Sequence, residues 1–346
     1  MDSLSVLVDR HDDGGMYALI RSFPAHLREG RRRALEADLT WPEDPAQVVI
    51  VGMGGSAIGG DLVASMARGS SPVPVEVVRG YTVPGYVNAR TVVIVSSFSG
   101  NTEETLSAFD EAVARGATIL CVTSGGTVQA RAEAGGYGHV LIPGGMPPRA
   151  ALGYSFSVVA TLAERLGVLA PPDGAWEEAY ALLDAQTEDL SNLEGNQALD
   201  LARQLTGAVP LVYSGNGLME VVNLRWRGQI QENSKVLAFG NVFPELNHNE
   251  IMGWTYPDAF IGRLAVIVLR DRADHPRVLR RLDITGELLQ DRAALWHEVH
   301  SRGESALARL LATVNLGDWV SYYLAVTRQV DPTPIGLIDA LKTALG

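Results

Sequence analysis

The sequence predicts an α/β protein with two parallel β-sheets in tandem, each covered by helices on both faces. Short strands rich in valine and isoleucine alternate with helical segments, which is typical of such sheets. A small-residue turn follows the first strand of each half, in "VVIVGMGGSAIGG" at 48–60 and "PLVYSGNGLMEVV" at 210–222. Between about 155 and 205 this rhythm gives way to a helical pattern, so we expect helices to join the two halves.

The first half contains five apolar runs that we interpret as strands. In order they are "AQVVIV", "PVPVEVV", "TVVIVSS", "ATILCVTS" and "GHVLI". A helix is predicted between the third and fourth runs, because Leu106, Phe109 and Val113 share one helical face and Gly116 provides a stop. Right-handed crossovers place the turns after these strands along one edge of the sheet.

The second half repeats the pattern with "AVPLVYSG", "RLAVIVLRD" and "LWHEVHSRG" as strands. A helix is predicted over 218–234, and a long amphipathic helix within 304–329. The predicted organisation is a helical N-terminal segment at 1–45, a first domain at 46–170, a helical linker at 171–205, a second domain at 206–330 and a C-terminal tail at 331–346.

Composition limits the classes of function. The chain has 346 residues, of which 47% are hydrophobic and 20% charged, as in a globular protein with a sizeable core. Its net charge of −12 argues against nucleic-acid binding, and the run of three arginines at 31–33 is interpreted as a solvated helix face. No apolar run is long enough to span a bilayer, and the acidic start lacks a signal-peptide pattern. The single cysteine, Cys121, lies in an apolar run and is expected to be buried. We therefore expect a cytoplasmic protein with no nucleic-acid or membrane partner.

Two exit turns of the first half combine glycines with hydroxyl side chains. The turn at 52–56 contains Gly54, Gly55 and Ser56, and the turn at 97–102 contains Ser97, Ser99 and Thr102; together we call them the two-turn cup. Each turn leads into a predicted helix N-terminus, where free N–H groups favour an anion. Serine and threonine also serve as helix caps, but three hydroxyls within six residues exceed what capping needs. The pattern favours a phosphate site.

Two other phosphate-binding patterns fit less well. Gly52, Gly54 and Ala57 match a dinucleotide fingerprint, but the next strand ends in Arg79 where that fingerprint requires an acidic residue. The fingerprint also leaves the serines of the third strand's turn unexplained. A P-loop is excluded because no Gly-Lys-Ser/Thr sequence is present.

The "SFSGNT" turn paired with the "GGS" turn resembles the sugar isomerase (SIS) domain. Three further segments sharpen the resemblance: "PPRAALGYS" at 147–155, "QENSKVLAFGNVFPELNHNEIMGW" at 231–254 and "DPTPIGLIDALK" at 331–342. Together they resemble the bifunctional phosphoglucose/phosphomannose isomerases. That resemblance implies two SIS-type, doubly wound, flavodoxin-like domains and an isomerase that interconverts fructose 6-phosphate with glucose 6-phosphate and mannose 6-phosphate.

The resemblance also implies roles for particular residues. Ser56, Ser97, Ser99 and Thr102, with Gly54 and Gly55, would hold the substrate phosphate. Glu232 would be the catalytic base, Arg149 would lie near the reacting carbons, and His248 and Lys342 would serve ring opening. In this family the histidine comes from the neighbouring subunit, so a homodimer is implied. The family's chemistry implies neither a metal nor a cofactor.

Elementary chemistry agrees with these roles. Glu232 lies near the end of the predicted helix, where the dipole favours the uncharged acid over the carboxylate. The positive charge of Arg149 suits stabilisation of an enediolate oxygen, and a histidine such as His248 can exchange a ring-opening proton near neutral pH. The role of Lys342 depends on the resemblance, since helix ends favour lysine anyway. His297 and His300 could bind a metal only if helical, and no third ligand is suitably spaced.

Two rival functions remain open. A non-catalytic phosphosugar-binding SIS regulator would keep the two-turn cup and lack the chemistry, but it leaves Glu232, Arg149 and His248 without a purpose. An amidotransferring glucosamine-phosphate synthase also has paired SIS domains. It requires an N-terminal glutaminase with a leading cysteine, whereas this chain begins Met1-Asp2.

Overall fold

The computed structural model describes residues 3–42 and 44–345. Met1 and Asp2 of the predicted N-terminal segment, Glu43 at its end and Gly346 of the predicted tail lie outside the described residues. The chain forms two compact units. The first unit holds residues 22–180 and 305–307, and the second holds 1–21, 181–304 and 308–346.

The strands of the described residues are β1 (Gln47–Val51), β2 (Val75–Val78), β3 (Thr91–Ser97), β4 (Thr118–Thr123), β5 (Gly138–Leu141), β6 (Val209–Gly215), β7 (Phe239–Phe243), β8 (Leu264–Arg270) and β9 (Leu295–His300). The helices are α1 (Leu4–His11), α2 (Met16–Arg21), α3 (Phe23–Glu36), α4 (Gly54–Ala67), α5 (Glu103–Ala114), α6 (Gly126–Gly135), α7 (Leu152–Arg165), α8 (Ala175–Leu190), α9 (Gln197–Leu205), α10 (Leu218–Ser234), α11 (Asp258–Ile261), α12 (Pro276–Leu289), α13 (Ala306–Thr327) and α14 (Gly336–Leu345). Short 3-10 turns at Pro148–Ala151, Glu245–His248, Glu250–Thr255 and Gln290–Arg292 complete these elements.

The first unit contains a five-stranded parallel sheet in the order β2-β1-β3-β4-β5. Its central strands are buried on both faces, and every residue of β3 is buried. One face packs against an apolar cluster that includes Phe109 of α5 and Val128 of α6. On the other face α4 approaches so closely that a Cβ on Gly60 would lie 2.7 Å from Ile50 Cγ2. The predicted doubly wound parallel sheet is confirmed.

The strand order reverses between β1 and β3, and this reversal creates a crevice at the carboxyl ends of the two strands. In open α/β sheets ligands bind at such a switch point. The exit turns of β1 and β3 are the two turns of the cup, so the topology brings together the two motifs that the sequence singled out.

The second unit contains a four-stranded parallel sheet in the order β7-β6-β8-β9. Strands β6, β8 and β9 and helix α10 are confirmed as predicted, but β7 was not among the predicted strands. Its sequence, Phe-Gly-Asn-Val-Phe, contains two residues with low strand propensity. The glycine has a packing reason, since a Cβ on Gly240 would lie 2.4 Å from the carbonyl oxygen of Val212 on β6.

The long helix predicted within 304–329 is confirmed as α13, but the prediction that it is amphipathic is wrong. Every residue from 307 to 326 is buried, so the helix has no solvated face along that stretch. A helix that is apolar nearly all round is typical of a protein interior. Its buried polar residues find internal partners; for example, Asp318 forms an ion pair with Arg225.

Among the residues that the structure describes, no helix is both long and apolar enough to cross a bilayer. Cys121 on β4 is fully buried, as predicted, and burial raises the pKa of its thiol to about 12.

Candidate active site

The two turns of the cup are joined by a hydrogen bond. The backbone N–H of Phe98, in the second turn, donates to Ser56 Oγ of the first turn at 3.0 Å. The Ser96 hydroxyl also lies 3.5 Å from the Ser56 carbonyl oxygen. Ser56 is buried, so it ties the turns together from beneath. The structure thus brings the predicted glycine–serine turn and the predicted serine–threonine turn into one site.

The hydroxyl groups of the second turn make local hydrogen bonds, and Ser97 and Thr102 are bonded to each other. Ser97 Oγ donates to Thr102 Oγ1 at 3.2 Å, and Ser99 Oγ accepts from the N–H of Asn101 at 3.2 Å. Thr102 is the N-cap residue of α5, yet among the described residues its side chain makes no capping hydrogen bond. Ser97 is buried, whereas Ser99 is exposed at the rim. The capping explanation for these hydroxyls is therefore weakened.

Glycine is required at two positions of the cup by backbone conformation. Gly54 has φ +50° and Gly100 has φ +68°, both in the left-handed region that L side chains rarely adopt. A Cβ on Gly100 would also lie 1.9 Å from the carbonyl oxygen of Gly125. The turn at 97–102 is therefore packed against the turn after β4.

Helices α4 and α5 begin at the cup, at Gly54 and Glu103. Their first N–H groups have no intrahelical partner and their dipoles favour a negative charge there. The first turn of α4 contains no acidic side chain, whereas Glu103 and Glu104 begin α5. The α4 end is thus the more favourable of the two for an anion.

Arg149 lies beside the start of α4, within the same unit. It belongs to the 3-10 turn Pro148–Ala151, and only 2% of its surface is exposed. A Cβ on Gly55 would lie 3.0 Å from the carbonyl oxygen of Pro148 and 3.4 Å from Arg149 Cα. Only a residue without a side chain lets this turn approach α4 so closely. The structure therefore places the predicted arginine next to the predicted phosphate site.

Asn101 is a cup residue that sequence reasoning left without a role. Its Oδ1 accepts hydrogen bonds from the N–H of Thr127 at 3.0 Å and from the Thr127 hydroxyl at 2.9 Å. It thereby fixes the first turn of α6 to the exit turn of β3. The available signal was its place inside the Ser-Gly-Asn-Thr motif, but its partner lies 26 residues away in sequence.

Glu232 lies in the second unit, in the last turn of α10, and is half-buried. The helix ends two residues later at Ser234, as predicted. The carbonyl oxygen of Glu232 accepts a hydrogen bond from the Lys235 ammonium group. The contact with Lys235 therefore helps to fix the backbone that carries the Glu232 carboxylate.

His248 is exposed at the end of the 3-10 turn Glu245–His248, also in the second unit. The loop that carries it is anchored by Glu250, whose carboxylate accepts from Tyr213 Oη and, at 2.7 Å, from Asn241 Nδ2. Trp254 Nε1 donates to Tyr213 Oη at 3.0 Å. Burial and the Glu250 carboxylate raise the pKa of Tyr213, so the phenol stays protonated and keeps donating. The sequence did not single out Glu250, since its partners on β6 and β7 are remote in the chain.

Lys342 lies on α14 and is exposed. Apolar residues of this helix also face solvent, since Ile338 and Leu341 are exposed, while Ile335 just before it is half-buried. No residue of α14 is buried within the part of the chain that the structure describes. The cup and Arg149 belong to the first unit, while Glu232, His248 and Lys342 belong to the second.

The structure also bears on two alternative kinds of site, a metal site and a dinucleotide site. His297 and His300 lie on strand β9, so the helical geometry that a metal site would need is not present. Across residues 3–42 and 44–345 no group of three or more potential ligands is arranged to hold a metal ion. Arg79, where a dinucleotide fold needs an acid, forms an ion pair with Asp61.

Comparisons with known proteins agree with this architecture. A family described as "SIS domain" matches residues 43–163, and one described as "Bacterial phospho-glucose isomerase C-terminal SIS domain" matches 194–345. A hypothetical protein from Thermus thermophilus superposes with a TM-score of 0.74 over 99% of this chain and 92% of its own, at 16% identity, and shows the same fold. The protein is thus a tandem SIS-domain protein.

The curated relatives narrow this class. A bifunctional phosphoglucose/phosphomannose isomerase from Caldicellulosiruptor bescii is 44% identical over 88% of this chain and 90% of its own length. The enzyme of the same name from Aquifex aeolicus is 38% identical over 86% of this chain and 90% of its own length. The chain belongs to the bifunctional phosphoglucose/phosphomannose isomerase family.

Proposed function

We propose that the protein is an aldose–ketose isomerase that interconverts fructose 6-phosphate with glucose 6-phosphate and mannose 6-phosphate. The observation that carries this proposal is the two-turn cup, a set of hydroxyls and glycine amides at the switch point of a chain whose family consists of such isomerases. The reaction proceeds by proton transfer through a cis-enediol and requires no metal or cofactor. We expect the enzyme to work in the cytoplasm.

The cup binds the phosphate group of the substrate. Ser56, Ser97, Ser99 and Thr102 supply hydroxyls, and Gly54 and Gly55 allow the backbone to approach the phosphate oxygens. The N-terminus of α4 adds a favourable dipole. Because the phosphate is remote from C1 and C2, its binding energy serves to hold the reacting carbons in place.

Glu232 is the base that moves the proton. It removes a proton from C1 of open-chain fructose 6-phosphate, and the electron pair of that C–H bond forms the C1–C2 double bond while the C2 carbonyl oxygen becomes a negatively charged enediolate oxygen. The proton of the C1 hydroxyl passes to this oxygen through the cis-enediol, and return of the carried proton to C2 leaves the carbonyl at C1. Delivery to one face of C2 gives the glucose configuration and delivery to the other gives mannose. Arg149 stabilises the negative oxygen that develops between these states.

His248 and Lys342 exchange the protons that open the sugar ring. The family resemblance places the histidine across a subunit interface, so we propose a homodimer in which each active site receives His248 from the partner. The exposure of His248 supports this assignment. Neither nucleic acid nor a membrane takes part.

The decisive experiment uses protein treated with EDTA and fructose 6-phosphate in D2O, with the products resolved by NMR. We expect deuterium at C2 of glucose 6-phosphate and mannose 6-phosphate, because the transferred proton exchanges with solvent on the base. Glu232→Gln should abolish turnover while phosphate binding persists. Glu220→Gln, in the first turn of the same helix, is the matched control and should retain turnover.

The same experiment addresses the regulator alternative. A non-catalytic sensor would bind fructose 6-phosphate and return it unchanged, and Glu232→Gln would then have no effect. Unchanged substrate with the wild-type protein would therefore overturn the isomerase proposal in favour of the sensor.

A further inference from the structure

The end of α10 is held by two cationic side chains that bind its last carbonyl groups. The Lys235 ammonium donates to the carbonyl oxygen of Glu232 and, at 3.3 Å, to that of Asn233. The Arg328 guanidinium donates to the carbonyl oxygen of Ser234. Helix C-termini leave such carbonyls without intrahelical partners, and cations there oppose the negative end of the dipole.

Lys235 occupies a backbone conformation in which lysine is disfavoured. Its φ of +56° and ψ of +37° place it in the left-handed region just after the helix, a position that glycine or asparagine usually fills. A glycine would end the helix with less strain but would provide no ammonium group. We therefore expect the Lys235 ammonium group to have a role beyond ending the helix.

The same ammonium group reaches a second segment of the chain. It donates to the carbonyl oxygen of Pro332 at 2.8 Å, across 97 residues of sequence. Pro332 is buried in the connection between α13 and α14, and the adjoining turn is closed by Asp331 Oδ1, which accepts from the N–H of Thr333 at 2.8 Å. Lys235 thus links the last turn of the Glu232 helix to the segment that leads into the helix of Lys342.

Other contacts fix α10 to α13 and to the start of this connection, where Arg328 binds the Ser234 carbonyl oxygen. Arg225 and Asp318 form a buried ion pair between α10 and α13. Asn233 Nδ2 donates to Ser321 Oγ at 2.9 Å, and Ser234 Oγ donates to the Ser321 carbonyl oxygen at 2.7 Å. These contacts set the position of α10 against α13. No residue of α14 is buried in the part of the chain that the structure describes, and the segment that leads into α14 is the one that Lys235 contacts.

We propose that Lys235 is a positioning residue for catalysis, which fixes the backbone of Glu232 and the 331–334 segment to each other through one ammonium group. This inference rests on the proposed function, since it assumes that Glu232 is the base and that Lys342 acts on the same substrate. Lys235 donates to three backbone carbonyls, and we assign it no proton transfer. Small displacements of a base from its reacting carbon are costly, and a shift of about 1 Å can reduce the rate about 100-fold.

The test compares Lys235→Met with wild-type protein by steady-state kinetics and by hydrogen exchange. Methionine keeps the unbranched side chain and the strain of the left-handed backbone but removes the three donors. We expect kcat for fructose 6-phosphate to fall about 10- to 100-fold while KM stays within about threefold. Amides of 329–345 should exchange faster, and those of the cup at 94–104 should be unchanged. Lys235→Arg, which restores a cation with several donors, should recover part of kcat and of the protection.

Arg203→Met provides the matched control, because Arg203 is also a cation in the last turn of a helix of the same unit and is largely exposed. It should leave kcat and the exchange of 329–345 unchanged. A Lys235→Met variant with wild-type kcat would overturn the proposal, whether or not exchange is faster. If kcat of Lys235→Met and of Arg203→Met fall together, a specific role for Lys235 is likewise refuted.

The outcome separates this inference from the proposed function. If the wild-type protein shows no isomerase activity, the proposed function fails. The link to Pro332 is tested separately by hydrogen exchange, and it is refuted if the amides of 329–345 exchange at the wild-type rate in Lys235→Met. If Glu232→Gln is inactive while Lys235→Met is fully active, the isomerase proposal stands and only the positioning role is lost.

Discussion

Asp274 should cost the protein stability at neutral pH, and its replacement by asparagine should restore that stability. Its carboxylate lies against the end of β6, where a Cβ on Gly215 would be 2.5 Å from Asp274 Oδ2. That oxygen is buried and has no hydrogen-bond partner among the described residues. Burial, with a further contribution from the negative charge of Asp271, raises the pKa of Asp274 to about 6 from a usual value of 3.8.

The sign and size of the effect follow from this difference. Well below pH 4 the carboxyl is protonated in both the folded and the unfolded chain, so it costs nothing. Between about pH 4 and pH 6 the unfolded chain releases this proton while the folded protein keeps it, so stability falls across that window and stays at the lower value above pH 6. A shift of about two pKa units corresponds to about 3 kcal/mol, which partial exposure reduces to about 1–2 kcal/mol.

The assay is thermal unfolding of Asp274→Asn and wild-type protein at pH 4 and pH 8, followed by tryptophan fluorescence. Four of the six tryptophans, at positions 226, 254, 296 and 319, belong to the same unit as Asp274, so the signal reports mainly on that unit. We expect Tm to rise by about 2–8 °C at pH 8 and by clearly less at pH 4. Asp291→Asn, at an exposed carboxylate, is the control and should change neither value. An equal gain at both pH values, or no gain at pH 8, would refute the reasoning.

Two further substitutions test the cup and the seam between α10 and α13. Gly100→Ala places a methyl group 1.9 Å from the Gly125 carbonyl oxygen and imposes left-handed strain of about 1–2 kcal/mol. Because this distorts the cup, KM for fructose 6-phosphate should rise at least about tenfold, with a smaller change in kcat. An unchanged KM would argue against the cup as the phosphate site. Asp318→Asn removes the negative charge that compensates the buried Arg225 guanidinium, so the free energy of unfolding in urea titrations should fall by about 3–5 kcal/mol. The double replacement Arg225→Met/Asp318→Leu removes both charges and should recover most of the lost stability. Equal losses in the single and double variants would contradict that explanation.

Local sequence patterns predicted the two sheets because parallel strands buried on both faces must be apolar along their whole length. Strand β3 shows this, since all seven of its residues are buried. Strand β7 was not predicted because its sequence is set by a tertiary contact and not by strand propensity. Its Gly240 is selected by a close contact with the β6 backbone, which no local propensity reports. The amphipathic interpretation of α13 failed because its scattered polar residues find partners on other elements inside the protein, so they do not mark a solvated face.

The candidate site was predictable where it is built from contiguous turns. The hydroxyls of 97–102 follow one buried strand, and topology alone brings them to the glycine turn of its neighbour. Contacts between distant segments left no such signal. Glu250 meets Tyr213 across 37 residues, and Lys235 meets Pro332 across 97. A lysine one residue beyond a helix is usually explained by the helix dipole alone, so its second partner emerges only from the fold.

The four strands of the second sheet follow the order of β2-β1-β3-β4 in the first, but the two sheets differ in what their central strands carry at their carboxyl ends. In the first unit the exit turns of β1 and β3 provide hydroxyls and glycines, as an anion site requires. In the second unit β8 is followed by Asp271 and Asp274. Arg309 neutralises Asp271 at 2.8 Å, but the Asp274 carboxylate occupies the space over the glycine turn at the start of α10. The Asp274 carboxylate would therefore repel a phosphate from the N-terminus of α10, the helix end that otherwise favours an anion. Duplication of the fold therefore need not duplicate the phosphate site.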